Sequence, residues 1–114
     1  MKNRSTPEEK YLIRQARAGN EAAFGRLVER HTPGLFRVVY RAINDTGEAE
    51  AIVQETFLRA WESIRRRRYR EDERPLFSYL VTIALNLARD RFRRERWLDF
   101  SGLEQIAESM PAPE

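Results

Sequence analysis

Arginine is the residue with the strongest chemical signature in this chain, and its distribution is uneven. It accounts for 19 of the 21 basic residues, and residues 59–97 hold twelve arginines against six acids, a net charge of +6. Residues 1–58 carry a net charge of +1, and residues 98–114 carry −4. Because guanidinium groups pair bidentately with phosphate and stack on bases, this distribution indicates a nucleic acid or another polyanion as the partner. A solvated helix face with ion pairs is the alternative.

One ridge of the last predicted helix carries the side-chain types that hold a strand of DNA. It lies opposite an apolar stripe and contains Tyr79, Asn86, Arg89, Arg93 and Arg94. Phosphates would meet the guanidinium groups, while bases would stack on the ring or bond to the carboxamide. Alternatively, Tyr79 belongs to the core and the arginines complement the dipole at the end of the helix.

Catalysis and metal binding have little support in the sequence. The single histidine, His31, lies beside Thr32 and Pro33. No cysteine, serine or acid stands at a spacing from it that indicates a catalytic site, and we interpret it as a helix-boundary residue. The absence of cysteine excludes disulfides and thiolate metal sites, and there is no glycine-rich phosphate loop. The carboxylates lack a histidine at metal-ligand spacing. We therefore expect no enzyme activity, no metal and no cofactor.

The stretch GEAEAIVQETFLRAW, residues 47–61, points to a protein partner as well. Its apolar residues recur every three or four positions and predict a helix seated on a core. The opposite face carries Gln54, Glu55 and Glu62, and among them stands the large apolar Leu58. A surface leucine is common, so an incidental position and a partner-binding face both remain open.

The elements that would position these residues are all helical. Thr6 and Pro7 begin a first helix that turns Tyr11, Leu12 and Ala16 inward and stops at Gly19. A second helix begins after the cap Asn20, and we expect Pro33 to break or kink it, because proline lacks a backbone donor and clashes with the preceding turn.

The second half of the chain has a simpler pattern. The third helix runs out near Arg66, residues 67–74 form a charged loop whose acids are screened by water, and Pro75 starts the last helix. The predicted fold is all-α, a compact bundle of four to five helices. No apolar run reaches the ~20 residues that span a bilayer, and the polar N-terminus lacks a signal peptide's apolar region. We expect a cytoplasmic protein without membrane insertion.

Three stretches together resemble the first structured domain of extracytoplasmic-function RNA polymerase sigma factors. They are GNEAAFGRLVERHTPGLFRVVYRAI, EAEAIVQETFLRAW and FSYLVTIALNLARDRFRRER, which follow in the right order over residues 9–97. The most specific parts are VQETFLRAW and the IA-x-N-x-x-x-D-x-x-R-R pattern of residues 83–94.

The resemblance implies two partners. The helix with VQETF would dock on the clamp helices of the β′ subunit of core RNA polymerase. The residues expected to bind polymerase are Gln54, Glu55, Leu58 and Glu62.

The loop and the last helix would recognise and melt the minus-ten element of promoter DNA on its non-template strand. Residues 65–75 would form the pocket for a flipped base, whose extrusion costs a few kcal/mol that pocket contacts must offset. Asn86 would lie at the upstream edge of the melted segment. The expected DNA-binding residues are Arg65, Arg66, Arg67, Arg68, Tyr69, Arg70, Tyr79, Asn86, Arg89, Arg93 and Arg94.

Three positions depart from the family pattern. Ala51 stands where the family usually has an aspartate that meets a basic residue of the clamp helices, and this weakens docking. Tyr79 replaces a tryptophan, which is a mild change. Leu85 replaces an arginine, which weakens DNA binding.

The resemblance also implies a domain division. Residues 1–97 are expected to form the sigma region 2 domain. Residues 98–114, which end in MPAPE, are expected to be a linker toward a C-terminal helix-turn-helix domain that this chain lacks, as in an excised domain.

An anti-sigma factor is a further expected partner. One alternative function is a sigma-like decoy that binds an anti-sigma factor without binding DNA. Ala51 and Leu85 favour the decoy, and the arginine cluster of residues 89–96 opposes it. A generic basic helical DNA-binding module is a second alternative.

Overall fold

The computed structural model describes residues 5–92, which form four helices. These helices are α1 (Pro7–Arg17), α2 (Glu21–Ile43), α3 (Thr46–Arg65) and α4 (Leu76–Phe92). The predicted all-α bundle is confirmed, with four helices in the described range.

Polar caps set where the first three helices begin. The side chain of Thr6 accepts a hydrogen bond from the backbone N–H of Glu9 at 3.1 Å, and Asn20 accepts one from Ala23 at 3.1 Å. Asp45 caps α3 in the same way. Each side chain satisfies an amide that has no partner within its own helix. The predicted caps Thr6 and Asn20 are confirmed.

Left-handed residues end the first two helices. Gly19 has a φ of +103°, a conformation that glycine adopts without steric cost, and it turns the chain from α1 into α2. Asn44, with a φ of 55°, caps the end of α2. The chain therefore reverses direction over two to three residues at each junction, which brings neighbouring helices side by side.

Of the two expected effects of Pro33, the break is wrong, because α2 runs from Glu21 to Ile43. Pro33 lies on the exposed side of the helix. Water can there satisfy the carbonyl that loses its usual backbone donor, while Leu35 and Val39 continue the buried stripe.

The core lies between the inward stripes of all four helices. Ile52, Ala60 and Ile64 of α3 are fully buried, and Phe57 packs edge-on against Phe24 of α2 with ring centroids 6.4 Å apart. α4 contributes the predicted stripe around Leu80, Val81 and Ala84.

The inward orientation predicted for Tyr11 is wrong. Its side chain is 54% exposed, and the buried residues of α1 are instead Glu9, Leu12, Ile13 and Ala16. Leu12 and Ile13 rather than Tyr11 face the core, because a helical turn of 3.6 residues turns only one stripe inward.

α3 and α4 run antiparallel, and their packing sets the geometry of the candidate site. The guanidinium Nε of Arg91, in the last turn of α4, lies 3.0 Å from the carboxylate of Glu48 in the first turn of α3. Residues 66–75, called here the connecting segment, join the two helices at the opposite end. Within residues 5–92, no helix has the length and apolar character needed to cross a membrane.

Candidate functional site

The outer face of α3 presents the four residues expected to bind polymerase. We call Gln54, Glu55, Leu58 and Glu62 the α3 surface. Leu58 is 68% exposed, the highest exposure among the large hydrophobic residues of the described chain. Because Phe57 beside it is buried, the helix separates its core face from its outer face within one residue.

Two grooves flank Leu58. One has a mixed polar and apolar lining, which includes Ala51, Glu55, Glu62 and Arg91. The other is mainly apolar and is lined by Phe24 and Val28 from α2 and by Phe57 and Trp61 from α3. Leu58 and Gln54 border both grooves, so a partner helix laid along α3 would meet an apolar ridge with recesses on both sides.

Surface ion pairs hold the long side chains of this face in place. Glu55 pairs with Arg59 at 3.0 Å, and Glu62 pairs with Arg66 at 3.4 Å, one helical turn apart in each case. Pairs of this kind contribute only a few tenths of a kcal/mol and exchange readily for a partner's charges.

The connecting segment begins with a turn built around Arg67. The N–H of Arg67 bonds to the carbonyl of Ile64 at 3.1 Å, and the N–H of Arg68 bonds to the carbonyl of Ser63 at 2.8 Å. This Schellman pattern requires a left-handed residue at its centre, and Arg67 supplies it with a φ of 60°. Glycine is the usual occupant, and a larger residue there costs roughly 1–2 kcal/mol.

Exposed arginines cluster at the start of this segment. The members named from sequence as DNA-binding are Arg65, Arg66, Arg67, Arg68 and Arg70, and all five are exposed. Their guanidinium groups can therefore meet a polyanion without removing any side chain from the core.

The structure places Tyr69, which is expected to contact DNA, inside the fold. Its side chain is only 2% exposed, and its hydroxyl donates a hydrogen bond to the carbonyl of Arg74. The Tyr69 ring packs against the Tyr79 ring at 4.7 Å, and the Tyr79 hydroxyl lies 2.6 Å from Ser63 Oγ. Burial raises the pKa of Tyr69, which therefore stays neutral. The two tyrosines support the segment from beneath.

Arg74, near the end of the connecting segment, is a buried cation. Its Nε donates to Ser78 Oγ at 3.1 Å, a second nitrogen donates to Thr82 Oγ1, and the group lies 5.9 Å from the centre of the Tyr79 ring. Burial lowers its pKa, since no carboxylate within residues 5–92 forms an ion pair with it. The neutral hydroxyls and the ring partly replace its lost hydration.

A partly buried ion pair fastens the segment to α1. Arg17 Nη2 lies 2.6 Å from Glu71 Oε1 and also donates to the Tyr69 carbonyl at 3.1 Å. Glu71 is therefore not screened by water as expected. Burial by itself would raise the pKa of Glu71, but the hydrogen bond from Arg17, aided by the charge of Arg14, holds it below its ordinary value. Sequence reasoning missed Arg17, because the two residues are 54 positions apart.

The ridge of α4 is only partly described by the structure. Asn86 is exposed, and Tyr79 and Arg89 are half-buried. Arg93 and Arg94 lie outside the described residues, as does the predicted linker of residues 98–114. Leu85 is buried in the core and does not lie on the ridge.

His31 has a structural partner rather than a catalytic one. Its Nε2 lies 2.9 Å from the carboxylate of the buried Glu9, and its ring packs against Phe77 at 5.8 Å. Arg30 also approaches Glu9 at 3.5 Å. In the described part of the chain, no three metal-ligating side chains cluster closely enough to hold a metal ion.

Comparison with known proteins shows which family and which relatives this chain is similar to. The family model described as Sigma-70 region 2 matches residues 27–98. The chain is 37% identical over 86 residues to the ECF RNA polymerase sigma factor BldN of Streptomyces coelicolor, covering 75% of this chain and 32% of the relative. It is 32% identical over 87 residues to the ECF RNA polymerase sigma factor SigW of Bacillus subtilis, covering 76% and 45%.

A solved structure gives the same result. The structure of CnrH in complex with the cytosolic domain of CnrY aligns with a TM-score of 0.64 and 31% identity, covering 90% of this chain and 64% of that one. CnrH of Cupriavidus metallidurans is an RNA polymerase sigma factor and is 34% identical to this chain over 105 residues, or 51% of its own length. The chain thus spans about a third to a half of the curated relatives compared here.

Proposed function

The chain belongs to the sigma-70 region 2 family, in the group of extracytoplasmic-function sigma factors, and we propose that it binds core RNA polymerase and promoter DNA to initiate transcription. In this proposal the α3 surface binds the clamp helices of the β′ subunit. The connecting segment and the ridge of α4 recognise and melt the minus-ten element on its non-template strand.

The exposure of Leu58 supports the docking proposal most strongly. A leucine that is 68% exposed between two grooves gains apolar burial when a partner helix covers it. Glu55 and Glu62 offer carboxylates at the rim, where charge complementarity orients a basic partner. The buried stripe beneath keeps α3 in place while its outer face binds.

The DNA proposal rests on the side chains that the end of α3, the connecting segment and α4 expose. Five exposed arginines, Arg65, Arg66, Arg67, Arg68 and Arg70, stand at one end of α4, and the exposed carboxamide of Asn86 stands further along it. Cations hold phosphates without regard to sequence, whereas a carboxamide can read the edge of a base. Both kinds of contact are needed for a promoter element.

Pull-down of core polymerase tests the docking proposal. We expect the chain to retain β′, and Leu58→Ala combined with Gln54→Ala to weaken that binding by ~1–2 kcal/mol without lowering the melting temperature. Ala51→Asp should tighten binding if it restores the family's carboxylate contact. Undiminished β′ binding by the double variant would contradict the assignment of the α3 surface.

Binding of single-stranded and duplex minus-ten oligonucleotides tests the DNA proposal. We expect preference for the single strand and a steep loss of affinity with salt, about −0.7 in slope for each neutralised phosphate. Arg68→Ala should weaken binding to all sequences, while Asn86→Ala should reduce discrimination between sequences. If both variants lose the same affinity on every sequence, the region is only a nonspecific basic patch.

A protein partner other than polymerase is also supported. The structural neighbour CnrH was solved in complex with the cytosolic domain of CnrY. We assign to an anti-sigma factor the apolar groove lined by Phe24, Val28, Phe57 and Trp61, which adjoins Leu58. Tight binding of such a factor by a chain that binds neither β′ nor DNA would favour the decoy function.

A further inference from the structure

A basic cleft lies between α1 and the connecting segment, away from the ridge of α4. Its cations come from both elements, and two acids also line it. The cations are Lys10, Arg14, Arg17, Arg67 and Arg70, and the acids are Glu71 and Asp72. With a net formal charge of +3 in one recess, the cleft favours a polyanion.

The local ion pairs do not neutralise this charge. Glu71 is committed to Arg17, and Arg70 only approaches Glu73 at 4.0 Å. Within residues 5–92, neither Lys10 nor Arg14 forms an ion pair with a carboxylate. Arg14 nevertheless lies close enough to Glu71 to help hold the pKa of that carboxyl below its ordinary value, so it faces the cleft.

The spacing of the α1 cations fits a nucleic acid strand. Lys10, Arg14 and Arg17 follow one another at four and three positions, which places them on one face of the helix. Lys10 and Arg14 are about 6 Å apart along the axis at ~1.5 Å per residue. A strand stacked as in a duplex, with one charge every ~3.4 Å, presents about two phosphates over that length.

Arg67 gives an independent indication that the cleft is used. It occupies the left-handed position where glycine would be less strained, and its side chain lines the cleft. Backbone strain that persists at a position where a simpler residue would relieve it is typical of functional sites.

We propose that this cleft binds backbone phosphates of the promoter's single strand, and that α1 thereby takes part in DNA binding. The inference rests on the proposed DNA-binding function. It adds Lys10 and Arg14 as phosphate contacts on the α1 side and places Arg67, already part of that proposal, in the same cleft. The strand would pass from the exposed arginines at the end of α3 into the cleft. These contacts carry affinity and no sequence preference, because they meet only phosphates.

The test compares two double variants of the full chain by fluorescence anisotropy across a salt series. One is Lys10→Gln with Arg14→Gln, and the control is Arg26→Gln with Arg37→Gln, which removes the same charge from α2 outside the cleft. The probes are a mixed-sequence single-stranded oligonucleotide and an abasic oligonucleotide of equal length.

We expect the cleft variant to flatten the salt slope by about 1.4 on both probes, since two phosphate contacts of about 0.7 each are lost. The control should leave the slope near that of the wild type. Equal slopes for the cleft variant and the control would overturn the inference while leaving the DNA-binding function intact. A wild-type chain that binds neither probe would overturn both.

Arg67→Gly tests the role of Arg67 with a variant that we expect to remain folded. The variant relieves the left-handed strain, so its melting temperature should equal or exceed that of the wild type, while its affinity for both probes falls. Unchanged affinity at an unchanged or higher melting temperature would remove Arg67 from the proposed site.

Discussion

The α3 surface and the connecting segment both contain ion pairs at close distance, but the two pairs are built differently. On the α3 surface, Glu55 and Arg59 are 3.0 Å apart with side chains 41% and 58% exposed. At the connecting segment, Arg17 and Glu71 are 2.6 Å apart with side chains 15% and 14% exposed. Water screens the first pair and leaves the second largely unscreened.

The difference shows how each region keeps its shape. The α3 surface is the outer side of a helix whose inner side is buried, so its own residues need no fixed partners. The connecting segment is not helical, and side chains from α1 and α4 hold it through Arg17 and Thr82. Changes on the α3 surface should therefore alter binding alone, whereas changes beneath the segment should alter stability and DNA binding together.

The largest effect on stability is expected at Phe57, the buried neighbour of Leu58 in α3. Phe57→Ala removes a buried ring and should lower the free energy of unfolding by roughly 3–5 kcal/mol, whereas Leu58→Ala next to it should change it by less than ~0.5 kcal/mol. Urea denaturation measures both. Similar losses for the two variants would show that the two faces of α3 are not separated as described.

The next effect concerns the pair that fastens the connecting segment. Arg17→Ala leaves the carboxylate of Glu71 and the carbonyl of Tyr69 without their donor, and should cost about 2 kcal/mol, below the ~3–5 kcal/mol of fully buried pairs. The matched variant Arg59→Ala breaks the exposed pair and should cost less than ~0.5 kcal/mol.

DNA affinity is a second measurement that distinguishes Arg17→Ala from Arg59→Ala. Arg17→Ala should weaken binding of the single-stranded minus-ten oligonucleotide while β′ is still retained in a pull-down. If Arg17→Ala is as stable as Arg59→Ala, the pair of Arg17 with Glu71 does not hold the segment in place.

A smaller effect is expected from the hydroxyl beneath the segment. Tyr69→Phe keeps the ring packed on Tyr79 but leaves the Arg74 carbonyl without its donor, at a cost of about 1 kcal/mol. Thermal denaturation measures this cost. The stability of Tyr11→Phe should be unchanged, because Tyr11 is exposed and its hydroxyl is hydrated in both states. Equal melting temperatures for the two variants would mean that the Tyr69 hydroxyl contributes nothing.

The smallest effect is a change in acid sensitivity. The pKa of Glu71 is lower in the folded chain than its ordinary value of 4.5, so its contribution to stability is present above that value. The contribution is lost as the pH falls through the folded pKa, since the unfolded chain binds the proton more readily. Glu71→Gln should be less stable than the wild type at pH 7, with the difference shrinking below about pH 4.5. A stability difference between Glu71→Gln and the wild type that stays constant from pH 7 to below pH 4.5 would contradict this expectation.

Local features of the sequence are sufficient to predict much of this molecule. The caps Thr6 and Asn20 and the left-handed Gly19 depend on residues within four positions, so they can be identified without knowledge of the fold. The helical period likewise separates Leu58 from the buried stripe of α3, and the VQETF and IA-x-N patterns identify the family. The caps, the turn and the helical period need only residues that are close together in the sequence.

Only the tertiary structure decides what each helix face meets. The sequence places Lys10, Arg14 and Arg17 on one face of α1, but the packing of α1 beside the connecting segment brings that face to Glu71. Tyr69 looks like an exposed loop residue until Tyr79 and Arg74 enclose it. Periodicity fixes which side chains share a face. The neighbour of that face depends on contacts between residues far apart in sequence, which local pattern does not encode.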